Sequence, residues 1–268
     1  GYNVAIGSSA LSSLRAGANA YNVAIGYNAG LSVSTGTSNT LMGGLVADAL
    51  TTGEKNVAIG YSALGAEDTG GQNVAIGYRA LSELNYDGNG YNTAVGSDAG
   101  RKVSTGVKNT LIGGLAGDAL TTCGANVAMG YGALGSEDTG SRNVAIGQDA
   151  LNSLNYDGDG YNVAIGHNAG VAVSTGVQNT IVGGQAGQSL TTGEKNVAIG
   201  AGALKASTSE GRNTAVGFEA LKAMNQLFNP HNTAVGYQAD ATATDSFYRT
   251  SIGALTGGNS TGSNITNI

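Results

Sequence analysis

The sequence predicts an all-β repeat solenoid, a parallel β-roll or β-helix of about fifteen coils. Three observations carry that prediction: a recurring pentapeptide, its fixed spacing, and a composition of small residues. Of 268 residues, 46 are Gly, against one Pro, one Cys, no Trp and three Phe. Charged residues make up 11%, about half the usual ~25%, while hydrophobic residues reach 41%. Such a chain lacks the bulky side chains of an ordinary globular core. It is also too aliphatic and too weakly charged for a disordered chain. Gly does not fall at every third position and Pro is nearly absent, which excludes collagen.

The pentapeptide is Asn-Val-Ala-Ile-Gly with close variants. Its Asn falls at Asn3, Asn22, Asn39, Asn56 and Asn73, so the spacing runs 19, 17, 17, 17. The same spacing then repeats in 70-residue blocks that begin at Asn73, Asn143 and Asn213. A degenerate fifteenth copy, Arg-Thr-Ser-Ile-Gly, opens at Arg249, and the register is lost near the end. Residues 1–253 therefore read as the repeat array and 254–268 as its irregular C-terminal end. A period this short and this regular is the signature of a solenoid whose repeats bury their faces against each other.

Each coil is expected to open on Asn, whose side chain bonds the backbone of the neighbouring coil and forms a ladder. Val4-Ala5-Ile6 reads as a short strand with alternating faces. The Ile6 position is Ile, Val or Met in every copy and is assigned to the lumen. The next Gly (Gly7, Gly26, Gly43) turns the chain, because Gly alone enters positive φ at little cost. A small residue follows, often with Leu after it, as in Ala63-Leu64 and Ala133-Leu134, and marks a second strand or turn. Ser-Thr-Gly at 34–36, 104–106 and 174–176 and Thr-Thr-Gly at 51–53 and 191–193 mark another turn. The Ala5 face is Ala on most coils and Leu41, Leu111 or Ile181 on every fourth. Two apolar strand faces imply that both are buried, and the Ala5 face is assigned to self-association. On that assignment Leu111→Asp should block assembly, whereas charge at Glu83 or Lys108 should do little.

The unit Asn-Val-Ala-Ile-Gly-x-x-Ala resembles the head repeat of YadA-like trimeric adhesins. The stretch Asn-Pro-His-Asn-Thr-Ala-Val-Gly-Tyr-Gln-Ala at 229–239 is similar to shaft repeats of phage tail fibres. The resemblance covers residues 1 to about 253 and implies a homotrimeric rod of parallel β-rolls, left-handed in the adhesin heads, used for attachment. At ~4.8 Å per coil such a rod would run to roughly 70 Å. The adhesin heads use a shorter coil, so the 17/17/17/19 block is closer to the fibre-type arrays. The segment carries no membrane anchor, coiled-coil stalk or chaperone domain and reads as part of something longer.

No residue stands out as catalytic, cofactor-binding or metal-binding. His167 occupies the slot held by Tyr27, Tyr61, Tyr78, Tyr131 and Tyr237, and His231 that of Tyr21, Tyr91 and Tyr161. Cys123 stands where Gly53 and Gly193 stand, without a base at a recognisable spacing. One Cys excludes a disulfide framework. Asp157-Gly-Asp159-Gly has the carboxylate-and-glycine character of a calcium loop, but the distal bidentate Glu is missing, which favours a solvated turn. The Glu-Asp-Thr-Gly turns at 67–70 and 137–140 read the same way. The two-residue insertions of the 19-residue coils, including Asn85-Tyr-Asp-Gly-Asn-Gly, are expected to be surface bumps. Replacing 86–89 by Gly-Ser should then leave the melting temperature unchanged. The fourth, with Leu227, Phe228 and Pro230, is expected to pack on a neighbouring chain or domain. A thin coil offers no cleft for a glycosidase carboxylate pair, and Thr is too irregular for an ice-binding face. A net charge of −6 argues against nucleic acid and anionic membranes, and no apolar run approaches a membrane span. The function expected is a non-enzymatic, cofactor-free extracellular or virion attachment fibre, the shaft segment of a phage tail fibre. Its partners would be its own copies, other fibre or baseplate segments and a cell-surface receptor. The alternative is the head of a bacterial trimeric adhesin or another extracellular filament.

Overall fold

The computed structural model describes residues 1–15, 19–225, 230–244, 247–257 and 264–268. The chain divides into two compact units, Gly1–Gly132 and Ala133–Ile268. The first contains β1 (Val4–Ile6), β2 (Val23–Ile25), β3 (Thr40–Met42), β4 (Val57–Ile59), β5 (Val74–Ile76), β6 (Thr93–Val95), β7 (Thr110–Ile112) and β8 (Val127–Met129). The second contains β9 (Val144–Ile146), β10 (Val163–Ile165), β11 (Thr180–Val182), β12 (Val197–Ile199), β13 (Thr214–Val216), β14 (Thr233–Val235), β15 (Thr250–Ile252) and β16 (Thr266–Asn267). Within each unit successive strands pair in parallel, one rung per coil, and the described residues contain no helix. Both units are parallel β-solenoids, with about fifteen coils between them. The 19-residue coils keep the register, with Val74 opposite Thr93 and Ala75 opposite Ala94. Beyond the last repeat, Thr266–Asn267 still adds a parallel rung to β15.

The Asn ladder forms as expected, and each rung makes several bonds. The Asn56 backbone N–H donates to Asn39 Oδ1 at 3.0 Å, and Asn56 Nδ2 donates to the Gly70 carbonyl at 2.9 Å. Asn56 Oδ1 in turn accepts the Asn73 N–H at 3.0 Å. These side chains are fully or almost fully buried, so every polar atom needs a partner, which the identical residue one coil away supplies. At Asn73, where the insertion moves the distant turn away, Nδ2 donates to Gly71 O instead. The Gly after each strand has two reasons to be Gly. At Gly26 φ is 139°, and a Cβ there would stand 2.2 Å from the Gly43 carbonyl oxygen.

The structure reverses the assignment of the strand faces. The middle residue of each strand is the inward one: Ala24, Ala58, Leu111 and Ile181 have no exposed surface. The flanking Val or Thr and the Ile, Val or Met point outward and are half-buried or exposed, with Met42 and Ile165 at 39% and 37%. The lumen is completed by two further columns. One is the residue after the small turn residue, such as Leu64, Leu81 and Leu134, and the other holds Leu50, Leu84 and Val103. These columns compensate in volume. Where the strand offers Ala, as at Ala58 and Ala75, the facing turn carries Leu64 and Leu81. Where the strand offers Leu111, the facing turns carry Gly100 and Gly117, at which a Cβ would lie 2.6 and 2.8 Å from Leu111 methyls. Gly30 beside Leu41 and Gly170 beside Ile181 repeat the arrangement.

Three positions per coil are left-handed even without Gly. In the fourth coil they are Lys55, Ser62 and Leu64, with φ of 58°, 54° and 55°. Each costs about 1–2 kcal/mol. Each also donates its backbone N–H to an adjacent coil, to Thr37 O, Gly44 O and Ala80 O, all at 3.0 Å. The turn region expected as a second strand or turn is therefore a turn whose residues are held by neighbours on either side.

Candidate interaction faces of the coils

Because the strands carry their bulkiest residues outward, each unit presents an apolar face. In the first unit it is formed by pairs such as Val57 and Ile59, Val74 and Ile76, and Thr110 and Ile112. Two columns of exposed side chains border it. The residue after the turn Gly supplies Tyr27, Tyr61, Tyr78, Tyr131, Phe218 and Tyr237. The residue before the Asn supplies Tyr2, Tyr21, Tyr91 and Tyr161. Where aromatics occupy consecutive coils they stack nearly parallel: Tyr2 on Tyr21 at 5.4 Å, Tyr61 on Tyr78 at 5.9 Å and Phe218 on Tyr237 at 5.5 Å. His231 belongs to this pattern, stacked on Tyr248 at 5.4 Å. His167 is exposed in the Tyr61 column. His231 Nε2 also lies 3.5 Å from Arg212 Nη1. Cys123 is buried, and its carbonyl accepts Asn109 Nδ2 at 3.1 Å, as Gly53 O accepts Asn39 Nδ2.

The acidic side chains of the insertion loops bond to a neighbouring coil. Asp157 accepts a hydrogen bond from Thr139 Oγ1 at 2.6 Å, whereas Asp159 pairs with Arg142 and accepts from the Tyr161 hydroxyl. Among the described residues no group of three or more His, Cys, Asp or Glu is placed to hold a metal ion. Two motifs that read as separate turns are instead halves of one clasp. Glu67 Oε1 accepts the Gly70 N–H at 2.7 Å, and Oε2 accepts the Tyr86 N–H of the next coil's insertion at 3.3 Å. Thr69 Oγ1 donates to Asp87 at 2.6 Å. Glu137, Gly140, Tyr156, Thr139 and Asp157 repeat the clasp in the second unit. The insertion is thus tied down, which corrects its expected independence. The fourth insertion's Leu227 and Phe228 lie outside the described residues.

Glu67 and Glu137 are fully buried and stand in the lumen column held elsewhere by Leu50, Leu84 and Leu120. Burial pushes both carboxyls above the ordinary glutamate range, partly opposed by the backbone N–H groups they accept. A second buried polar group closes the repeats. Arg249 takes the Asn slot, its N–H donating to Asn232 Oδ1, and its Nη2 meets Asp240 Oδ1 at 2.7 Å inside the lumen. Ser251 Oγ, in the Ala position of β15, donates to Asp240 at 3.2 Å. Burial raises the Asp240 pKa, and the Arg249 charge opposes it. The signal for both clusters was a polar residue at a lumen position of the repeat, visible only once the lumen positions are known.

No protein-family model, curated protein or solved structure matches this chain.

Proposed function

We propose that this chain is a structural segment of an extracellular attachment fibre, self-associating as a homotrimer in the manner of a phage tail fibre shaft. The observation that carries the proposal is the outward apolar strand face. A coil that fills its lumen with the Ala and Leu columns has no need of Ile, Val and Met outside. Yet those residues stand outward on β1 to β15, with exposed aromatics at the border. Contiguous exposed apolar surface of this kind marks a surface that another protein covers. The repeat supplies the same surface on every copy, so like chains can match it rung for rung. Between the two resemblances, the longer 17/17/17/19 block favours the fibre shaft over the adhesin head. A repetitive scaffold of small residues, whose titratable side chains sit in clasps and surface pairs, favours a mechanical role over catalysis.

Light scattering tests the assembly. The expected mass is three times the 26.4 kDa of the chain. A monomer at micromolar concentration would overturn the trimer. Adsorption of the fluorescently labelled chain to a panel of bacterial cells tests attachment, with saturable binding expected and its absence on all cells counting against this role.

A further inference from the structure

Away from the strand face, the second unit carries a groove of about 690 Å³ lined by residues of four consecutive coils. Ala206, Ala223 and Ala241 line it, together with Lys205, Lys222, Glu219 and Gln238. The coils are in register here, since Ala206 N–H donates to Lys222 O at 2.9 Å and Ala223 N–H to Ala241 O at 3.1 Å. Lys205 and Lys222 therefore hold the same repeat position on adjacent rungs, rooted ~4.8 Å apart. Equivalent positions in the two preceding blocks are Gly65 with Ser82 and Gly135 with Asn152. Two like charges stacked in this way repel, and polar side chains of the same coils offset the repulsion. Glu219 pairs with Lys222. It takes a bond from Lys222 Nζ at 2.6 Å and one from Gln238 Nε2 at 2.8 Å, while Lys205 Nζ donates to Gln185 at 2.8 Å.

We propose that this groove binds an anionic saccharide, its acid group held between Lys205 and Lys222 and its ring lying against the alanines. The volume falls within the range of small-ligand sites. The chemistry divides as a sugar's does. Ammonium, carboxylate and amide groups of the lining meet hydroxyls and the acid, and the alanines meet ring C–H groups. Lysine is a point charge on a flexible stem and accepts a carboxylate or a phosphate alike, so the shared ligand chemistry is a sugar-borne anion. Glu219 is the internal competitor for the same lysine. The proposal rests on the attachment reading for the origin of the saccharide, a cell surface.

Calorimetric titration of the full chain at low salt tests it. The probes are tetragalacturonate, its methyl ester, and mannose 6-phosphate. Tetragalacturonate or mannose 6-phosphate should bind, and which of the two binds tighter separates carboxylate from phosphate sources. The methyl ester and the variant Lys205→Gln/Lys222→Gln should each weaken binding by about tenfold or more, as loss of a charge-assisted contact does. Glu219→Gln should tighten it several-fold by freeing Lys222. Equal binding of acid and ester, binding unchanged in the double lysine variant, or no heat with either anion would overturn the site. Cell adsorption of the same double variant separates the two readings. Adsorption retained without saccharide binding removes the groove and leaves attachment. Saccharide binding with no adsorption to any cell does the reverse.

Discussion

A single Asn in the ladder serves both as donor and acceptor to groups that water cannot reach. Asn56→Ala would leave the Asn73 N–H without its acceptor and the Gly70 carbonyl without its amide donor. Each such loss costs about 1–3 kcal/mol, so we expect a destabilisation of about 2–4 kcal/mol, read from denaturant melts. Glu67 and Glu137 give a second expectation at this scale. Their folded pKa values lie above the unfolded ones, so the folded state holds more protons in that interval. Stability from these groups is then complete below the ordinary glutamate value and declines as pH rises through their folded pKa. Melting temperature measured from pH 4 to 8 should fall less steeply in Glu67→Leu/Glu137→Leu than in the parent. An equal slope would mean that the two carboxylates do not set it.

Elements here are coils, and a coil works by matching volumes and tying down its excursions. Leu111→Ala should cost about 2–5 kcal/mol, the usual price of a buried Leu truncation. Gly117→Leu alone should overpack against Leu120 and Leu111, whose methyls would lie 2.6 and 2.8 Å from a Cβ there. Together the two substitutions recreate the Ala-and-Leu pairing of neighbouring coils, and most of the loss should be recovered, a non-additivity a double-mutant cycle measures directly. The insertion loops follow the clasp. Replacing 86–89 by Gly-Ser removes the Thr69–Asp87 bond while position 86 keeps its backbone N–H for Glu67. A loss of about 1 kcal/mol is expected, seen as a modest fall in melting temperature. An unchanged melt would return the loop to an idle bump.

For the whole molecule, the reversal of the strand faces changes which substitution tests assembly. Leu111 and Ile112 are neighbours on β7 that face opposite ways, one wholly buried and one half-buried outside. Leu111→Asp places a carboxylate in the lumen and should unfold its coils, by several kcal/mol. Ile112→Asp should leave the β-sheet circular dichroism intact and reduce the scattering mass toward 26.4 kDa. If Ile112→Asp assembled normally, the apolar face would not be the contact. Because each unit fills its own lumen, a folded monomer is an accessible outcome of that variant.

The period, the Asn ladder, the turn Gly and a short parallel strand in each coil were all legible from the sequence. Each is a local requirement repeated identically: an Asn must meet an Asn, and a Gly must meet a carbonyl 17 or 19 residues away. The inward face was not legible from the strand alone, since alternation has no sign and both faces of Val-Ala-Ile are apolar. The pairing of Ala58 with Leu64 and of Leu111 with Gly117 held the answer, but only as a relation between a strand and the turn across the lumen. Likewise Glu67 and Asp87 are ordinary surface residues in the chain and become one clasp through the stacking of adjacent coils. Repetition determined the coil; closure of the coil, with a lumen of fixed volume, decided what lies inside it and what is left outside to be covered.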